Sequence, residues 1–545
     1  MNICEVRDLD GPNLFLRKPA IKLEFAAQDG AFRVSALAEA LAAGVPARDE
    51  GMPPATPERV MSLLIEIVHV LHDRCDLPRP ETVSRPLEER HHYAVAFTWS
   101  HRRFAMALGK LALRIVLGED SNPESGIVEL KSILASSPED DDAPEMVADC
   151  EGHIPIVAIT GTNGKTTTSR LIASILRQSG KTVGLTSSVG VFIGTEKVLE
   201  GDYSGPAGAH RVLEDDRVDV AVLETARGGM LLRGLGFECS EVSVVTNVSA
   251  DHLGLHGILT IEGLAEVKSL VPRSTRRQGF AVLNADDPRV LAMRDQIEAR
   301  PFLVTRRPMS DAVREHVADG GWALTVDDGQ IQWRHDGEID VLTSLGEIPI
   351  TFGGRAPHMV ENALCAAAAC VALGLDIDQV QFGLAAFQSS SRDNHGRLNV
   401  YGLNGGTVVI DFAHNEAGLE RLLEFGRQWV SGDGQLVTII GTAGDREDSV
   451  FRALGRVAAE QADRVIRKDS TRYLRGRNPG EMPSLMREGV AEAGRNVTDD
   501  EAPSEREACL AAFDDIHEGD VLAVMCIEDY DYLLQYLDEH GTPVS

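Results

Sequence analysis

Paired cysteines are missing from this chain. Its eight (Cys4, Cys75, Cys150, Cys239, Cys365, Cys370, Cys509 and Cys526) are scattered, and none forms a C-x-x-C pair. That spacing argues against a disulfide scaffold or a zinc knuckle and for free, mostly buried thiols in a reducing cytoplasm. Positive charge is also short, with 53 Lys and Arg against 84 Asp and Glu for a net charge of −31. Nonspecific nucleic-acid binding needs positive potential, so that class is set aside. An acidic surface serves solubility more often than it attracts a cation, and no cationic substrate follows from it. No basic-then-apolar leader opens the sequence. The longest apolar run, Ala363 to Leu375, is Ala-rich, too short to span a bilayer and interrupted at Gly374. It reads as a core helix, and neither a membrane nor a nucleic acid is expected as a partner.

With 545 residues, 43% of them apolar and 25% charged, the chain is expected to be a soluble α/β protein of several domains. Residues 1–118 read as a small α+β domain. Ile21, Leu23 and Phe25 alternate with Lys22 and Glu24 as in a half-buried strand, and Val60–His72 and His101–Leu117 carry helical spacing. His91, His92 and His101 lack a Cys or carboxylate at ligand spacing and read as surface or hydrogen-bonded histidines. The opening Arg7-Asp-Leu-Asp-Gly-Pro-Asn13 is turn-like, with no role that its residues dictate. Residues 119–152, with Pro123, Pro138, Pro144 and the acidic run Glu139-Asp-Asp-Asp142, read as a linker containing one helical turn. Residues 153–390 alternate strand-like and helical segments, the pattern of a mainly parallel sheet, with a β-rich excursion over Ala323–Ile350. Residues 391–545 repeat the alternation in a doubly wound, Rossmann-like unit.

The chemistry is concentrated in the third of these regions. The β-branched run Ile154–Thr160 stops at Gly161-Thr-Asn-Gly164-Lys165-Thr166-Thr-Thr168, and a helix over Ser169–Ser179 follows, closed by Gly180. Strand, glycine loop, Lys-Thr and helix together describe a cradle whose N–H groups face phosphate oxygens. Gly161, Thr162, Asn163, Gly164 and Thr167 supply the cradle, Lys165 reaches the β/γ-phosphates, and the Thr166 hydroxyl ligates Mg²⁺. The common pattern has a glycine where this chain has Ile159. Val218–Glu224 is a buried-type strand with a carboxylate at its carboxyl end, the edge where open α/β sheets bind ligands. Glu224 is therefore placed to hold Mg²⁺ opposite Thr166. Val244–His252 ends another strand in a polar cluster, and His252, although lone histidines are usually structural, is a candidate metal ligand. Lys268, sixteen positions on, is by composition a solvated lysine. Asn284 and Asp287 in Leu283-Asn-Ala-Asp-Asp-Pro288 end a strand and either shape the nucleotide pocket or form an ordinary Asx turn.

In this order the motifs resemble the ATP-dependent Mur ligase superfamily, whose compact Gly-Thr-Asn-Gly-Lys-Thr loop this chain carries. More narrowly, residues 150–545 resemble the Mur-ligase part of cyanophycin synthetases. Gly201-Asp-Tyr-Ser-Gly-Pro206, Leu223-Glu-Thr-Ala-Arg-Gly-Gly229, Asp251-His-Leu-Gly254 and Leu474-Arg-Gly-Arg-Asn-Pro-Gly-Glu481 carry that likeness. Residues 1–118 resemble the amino-terminal domain of the same enzymes more faintly. The ATP-grasp domain that the full enzymes hold between those regions is replaced here by the short 119–152 stretch.

The resemblance implies an ADP-forming acid–amino-acid ligase that works through an acyl phosphate, with ATP and Mg²⁺. It would join an amino acid, arginine in the family, to a side-chain carboxylate of a small peptide or polymer end. A separate ATP-grasp ligase and self-association are its implied partners. It implies as well that Lys165, Glu224, His252 and a carbamylated Lys268 carry the chemistry. Arg397 would meet the nucleotide on domain closure, Asp411 the ribose, and His414 the nucleotide region. Arg227, within the Glu-Thr-Ala-Arg-Gly-Gly stretch, Arg446, Arg475 and Arg477 are the arginines available for substrate carboxylates, through bidentate pairs. A folylpolyglutamate-type or peptidoglycan-type ligase, or a dormant nucleotide-binding subunit, are the alternatives.

Overall fold

The computed structural model describes residues 2–27, 31–46, 51–120, 122–136, 144–148, 154–251 and 253–544. Alternation in the first strands works as the sequence predicts. Ala20–Ala26 pairs antiparallel with Asn2–Leu9 on one side and His92–Thr98 on the other, and Thr82–Pro86 completes a four-stranded sheet. Ile21, Leu23 and Phe25 face the helices Pro57–Arg74 and Arg102–Leu117 and are fully buried. Lys22 and Glu24 point to the other face, where they form an ion pair.

Residues 119–152 differ from expectation. Pro123–Ser136 is a 14-residue helix, not a single turn in a linker. Ile127 and Leu130 recur at helical spacing and are buried in the first unit's core, with Ile133 and Leu134 packed against it. The proline and acidic composition masked this, because Pro123 opens the helix, where its missing N–H costs nothing. The acidic run 139–142 lies outside the described residues.

The second sheet has eleven strands. From Val183–Ser187 through Val220–Glu224, Ile156–Thr160, Ser240–Val245, Thr275–Asn284 and Arg300–Thr305 to Trp322–Asp327, every neighbouring pair is parallel. The β-rich excursion extends this sheet antiparallel as Gln330–His335 and Glu338–Ser344. The central strands are buried on both faces, which is why they read as unbroken apolar runs. Val157 and Ile159 pack toward the helices Lys165–Gln178 and Pro357–Ala372, while Ile156 and Ala158 pack toward Ile261–Arg273. The Ala-rich run is thus a core helix, and burial there pushes the Cys365 and Cys370 thiols well up.

The third sheet runs Thr498–Ala502, Arg464–Lys468, Leu436–Ile440, Val521–Met525, Gly406–Asp411, Asn399–Leu403, Thr542–Val544. It is parallel until its last two pairings. The turn-like opening motif sits between the first and second units. Asp10 is 1% exposed, its carboxylate takes Arg233 Nε at 2.7 Å and pairs with Arg102, and its N–H donates to the Arg233 carbonyl at 2.8 Å. A Cβ on Gly11 would stand 1.9 Å from the Leu235 carbonyl oxygen, so the approach needs glycine.

Candidate functional site

The phosphate-type loop is shaped by two close approaches. Gly161 has φ 151° and Gly164 has φ 88°. A Cβ at either would lie 1.9 Å from Thr246 Oγ1 or 2.2 Å from Asn362 Oδ1. Bulk is therefore excluded at both positions by neighbours as well as by backbone conformation. The loop is braced from the adjacent strand end: Asn163 N–H donates to Asn247 Oδ1 at 2.9 Å, and Thr246 Oγ1 donates to the Asn163 carbonyl at 2.7 Å. Asn284 and Asp287 hold that brace, donating to the Thr246 carbonyl and accepting from Val248 N–H respectively. Both therefore brace the segment that shapes the glycine loop.

Thr166 Oγ1 lies 3.2 and 3.0 Å from the two Glu224 oxygens. Glu224 is 3% exposed. Burial raises its carboxyl, while Lys165, Thr166 and Arg397 act in the opposite sense. Lys165 Nζ donates to the Gly161 and Thr162 carbonyls, at 3.0 and 2.9 Å. Lys268 is not a solvated lysine: it is 3% exposed, and burial, aided by Lys165, pushes its ammonium well below the usual range. Arg397 stacks 4.4 Å over the Phe412 ring. Asp411 accepts the Leu398 N–H at 2.8 Å, and burial raises its carboxyl against the pull of Arg397. His252 lies outside the described residues.

Three connected compartments form the cleft. The inner one, about 210 Å³, is lined by the 162–167 loop, Glu224, His358, Asn362, Arg397, Asp411 and Arg421. The middle one, about 490 Å³, is lined by Lys165, Arg227, Gly228, Gly229, Asp251, His256, Lys268 and Asp445. The outer one, about 450 Å³, is lined by Ser188, Arg397, Thr442, Arg446, Tyr473, Arg475 and Tyr530. Asp202 and His414 line all three.

The arginines separate. Arg227 and Arg475 face the cleft, and Arg475 pairs with Asp445 at 2.9 Å. Arg446 lines the outer compartment, 2.6 Å from Asp251 across the gap between the two larger units. Arg477 is absent from the described cleft lining. It ties Glu481, Asp448 and the Gly444 and Arg446 carbonyls together, which anchors that loop. The sequence reading missed Asp202, Arg170, His358 and Asn362. Arg170 donates to the His395 carbonyl at 2.9 Å across the interdomain junction. His358 Nδ1 is buried without a hydrogen-bond partner, and burial pulls its imidazole down to about 3. Asp202 lies within Gly201-Asp-Tyr-Ser-Gly-Pro206, where nothing local marks it apart. Arg170 lies on the helix that follows the loop, but its partner His395 is remote in sequence. His358 and Asn362 belong to the helix Pro357–Ala372, which only the tertiary fold brings to the loop.

In the first unit His92 is hydrogen-bonded, as its sequence context suggests, with Nδ1 3.0 Å from Glu24 Oε1. A bulge at Cys4 brings its Sγ, Glu24 and His92 to within 4.8 Å of one another. Lys22 pairs with Glu24 there.

Residues 159–370 match the family model described as Mur ligase middle domain, and 396–526 that described as Mur ligase, glutamate ligase domain. The chain is 44% identical over 346 residues to a cyanophycin synthetase of Trichormus variabilis, covering 63% of this chain and 38% of that one. It thus spans well under half the length of that relative. Over 396 residues it is 30% identical to a UDP-N-acetylmuramoyl-L-alanyl-D-glutamate–2,6-diaminopimelate ligase of Geobacillus kaustophilus, covering 68% of this chain and 73% of that one. Its fold aligns with E. coli FolC in complex with DHPP and ADP at a TM-score of 0.52 and 20% identity, over 71% of this chain and 89% of that one. Matched on both walls of its cleft, and along most of a relative's length, the chain belongs to the Mur ligase family.

Proposed function

We propose that the protein is an ATP-dependent, ADP-forming amide ligase, in which a carboxylate is activated as an acyl phosphate and captured by an amino acid's amine. The observation that carries this is the meeting of three compartments at Asp202 and His414, beside Lys165 and Glu224. A ligase of this kind must bring three reactants to one point: a nucleotide, an acid and an amine. The inner compartment, with the glycine loop, suits the nucleotide, and the unpaired His358 Nδ1 is available to its base. The middle compartment suits the acid. It shares His256 with a further cavity of about 270 Å³ between the first and second units, which leaves room for an extended acceptor. The outer compartment, walled by carboxyl-terminal loops, suits the incoming amine.

A divalent cation fits the Thr166 hydroxyl and the buried Glu224 carboxylate, a hard-oxygen pair on adjoining elements. Bound there as Mg²⁺, it would neutralise phosphoryl charge. His252 is proposed as a ligand of a second ion that orients the acceptor carboxylate. Lys165 would follow the migrating phosphoryl, a role of positioning and charge rather than covalent chemistry. Burial holds the Lys268 ammonium well below its usual range and so favours the neutral amine, the form that takes up CO₂ to become a carbamate. Arg227 and Arg475 are proposed to hold substrate carboxylates, and Arg397, Asp411 and His414 to meet the nucleotide from the carboxyl-terminal side. A cytoplasmic enzyme that adds arginine to an aspartate-containing acceptor, self-associates and works beside a separate ATP-grasp ligase is the finer reading, supported by the likeness to cyanophycin synthetases.

Purified protein with ATP, Mg²⁺, β-aspartyl peptides and single amino acids should release phosphate only when acid and amine are both present. Release that depends on neither would end this reading. Should Lys165→Ala leave the rate of an assembled system unchanged, the chain would instead be a dormant nucleotide-binding subunit.

A further inference from the structure

The wall of the outer compartment carries Tyr473, Arg475, Ile527 and Tyr530. Tyr473, Arg475 and Ile527 stand in loops, 469–475 and 526–529, that hold neither helix nor strand, and Tyr530 opens the helix Tyr530–His540. Behind them lies Glu505, the first residue of the helix Glu505–Asp515, with 0% exposure. Its carboxylate accepts the N–H groups of Ile527, Glu528 and Asp529 at 2.9, 2.9 and 2.7 Å, and the Cys526 thiol at 3.0 Å. It also pairs with Lys468 at the end of the neighbouring strand. The Glu528 carboxylate then accepts the Ser470 hydroxyl, the Thr471 N–H at 3.2 Å and the Arg472 N–H at 3.3 Å. Ser470 Oγ in turn accepts the Tyr473 N–H at 2.9 Å.

We propose that Glu505 is the positioning residue of the outer compartment, fixing 526–529 directly and 469–475 through Glu528, and so setting where Tyr530, Tyr473 and Arg475 stand. It meets the cleft wall through the Ile527 backbone, and each oxygen is committed to donors from the loop or the strand. A buried carboxylate with this many donors is a rigid node, because breaking any link strands a donor away from water. Burial alone would raise its carboxyl, but Lys468 and the N–H donors outweigh that and hold it at about 2.

The functional consequence rests on reading the outer compartment as the amine's, and the experiment separates the two. Amide hydrogen exchange is measured on the full chain as wild type, Glu505→Gln and Glu528→Gln, alongside steady-state kinetics. Glu505→Gln should speed exchange in both loops, whereas Glu528→Gln should speed it in 469–475 and leave 527–529 protected. Protection at 161–168 should be unchanged in both. Both variants should raise KM for the amino acid about tenfold while KM for ATP stays within about twofold. Exchange rising across the whole sheet in Glu505→Gln, or confined there to 526–529, overturns the relay, as does equal loosening of 527–529 in Glu528→Gln. ATP and amine KM values rising together overturn the positioning role. If wild type uses no amine at all, the reading of the compartment falls, and the exchange pattern alone still decides the relay.

Discussion

Gly164 and Asn362 compete for one small volume, and the loop exists because the glycine yields it. Gly164→Ala would push a methyl to 2.2 Å from Asn362 Oδ1 at a φ of 88°. It should cost about 1–3 kcal/mol in chemical denaturation and abolish ATP binding by calorimetry. Lys165→Ala leaves the fold alone and should lower turnover by about 10²–10³-fold, in line with the loss of one preorganised charge at a transition state. His358→Phe keeps the bulk, removes a buried unpaired ring nitrogen on the inner compartment's lining, and should weaken ATP about tenfold in the same calorimeter. The first two positions could be read from consecutive residues. The third could not, since His358 stands in the first turn of an apolar helix and its orientation is settled only by where that helix docks.

Elements were legible where local pattern and burial agree. The strand Ile156–Thr160 and the helix after it follow directly from a β-branched run and a glycine stop. The helix Pro123–Ser136 was obscured because prolines and acids around it dominate the composition, although Ile127 and Leu130 carry its core contacts. Leu130→Ala should therefore destabilise the first unit by about 2–4 kcal/mol, a loss that linker residues never show. The carboxyl-terminal sheet offers a pH test. Glu505 sits at about 2 in the folded protein, against about 4.3 in an unfolded chain. Its charged form is the one folding favours. That stabilisation, on the order of 3 kcal/mol, is complete above about pH 4.3 and fades as pH falls toward 2. In urea titrations the stability gap between wild type and Glu505→Gln should hold from about pH 7 to 5 and narrow below about pH 4.

At the scale of the molecule, contacts joining distant segments set the site, and these were the least visible beforehand. Asp251 and Arg446 meet across the cleft at 2.6 Å from loops of separate units, and no spacing rule connects residues 195 positions apart. The fold class and the strand ends were foreseeable because they obey local periodicity. The Arg7–Asn13 motif was opaque because its partners are Arg102, Arg233 and Leu235. Asp10→Ala removes the buried carboxylate that Arg102 and Arg233 share, leaving them Asp8 and Glu145 as partners, and should cost about 1–3 kcal/mol. In calorimetry it should split a single unfolding transition in two, the first unit melting early. Deleting that unit is therefore not a neutral trim. The cut would bare the Leu235 carbonyl and the apolar floor beneath it, and the stump would be prone to clump before its cleft could be assayed, so a silent truncation would say nothing about catalysis.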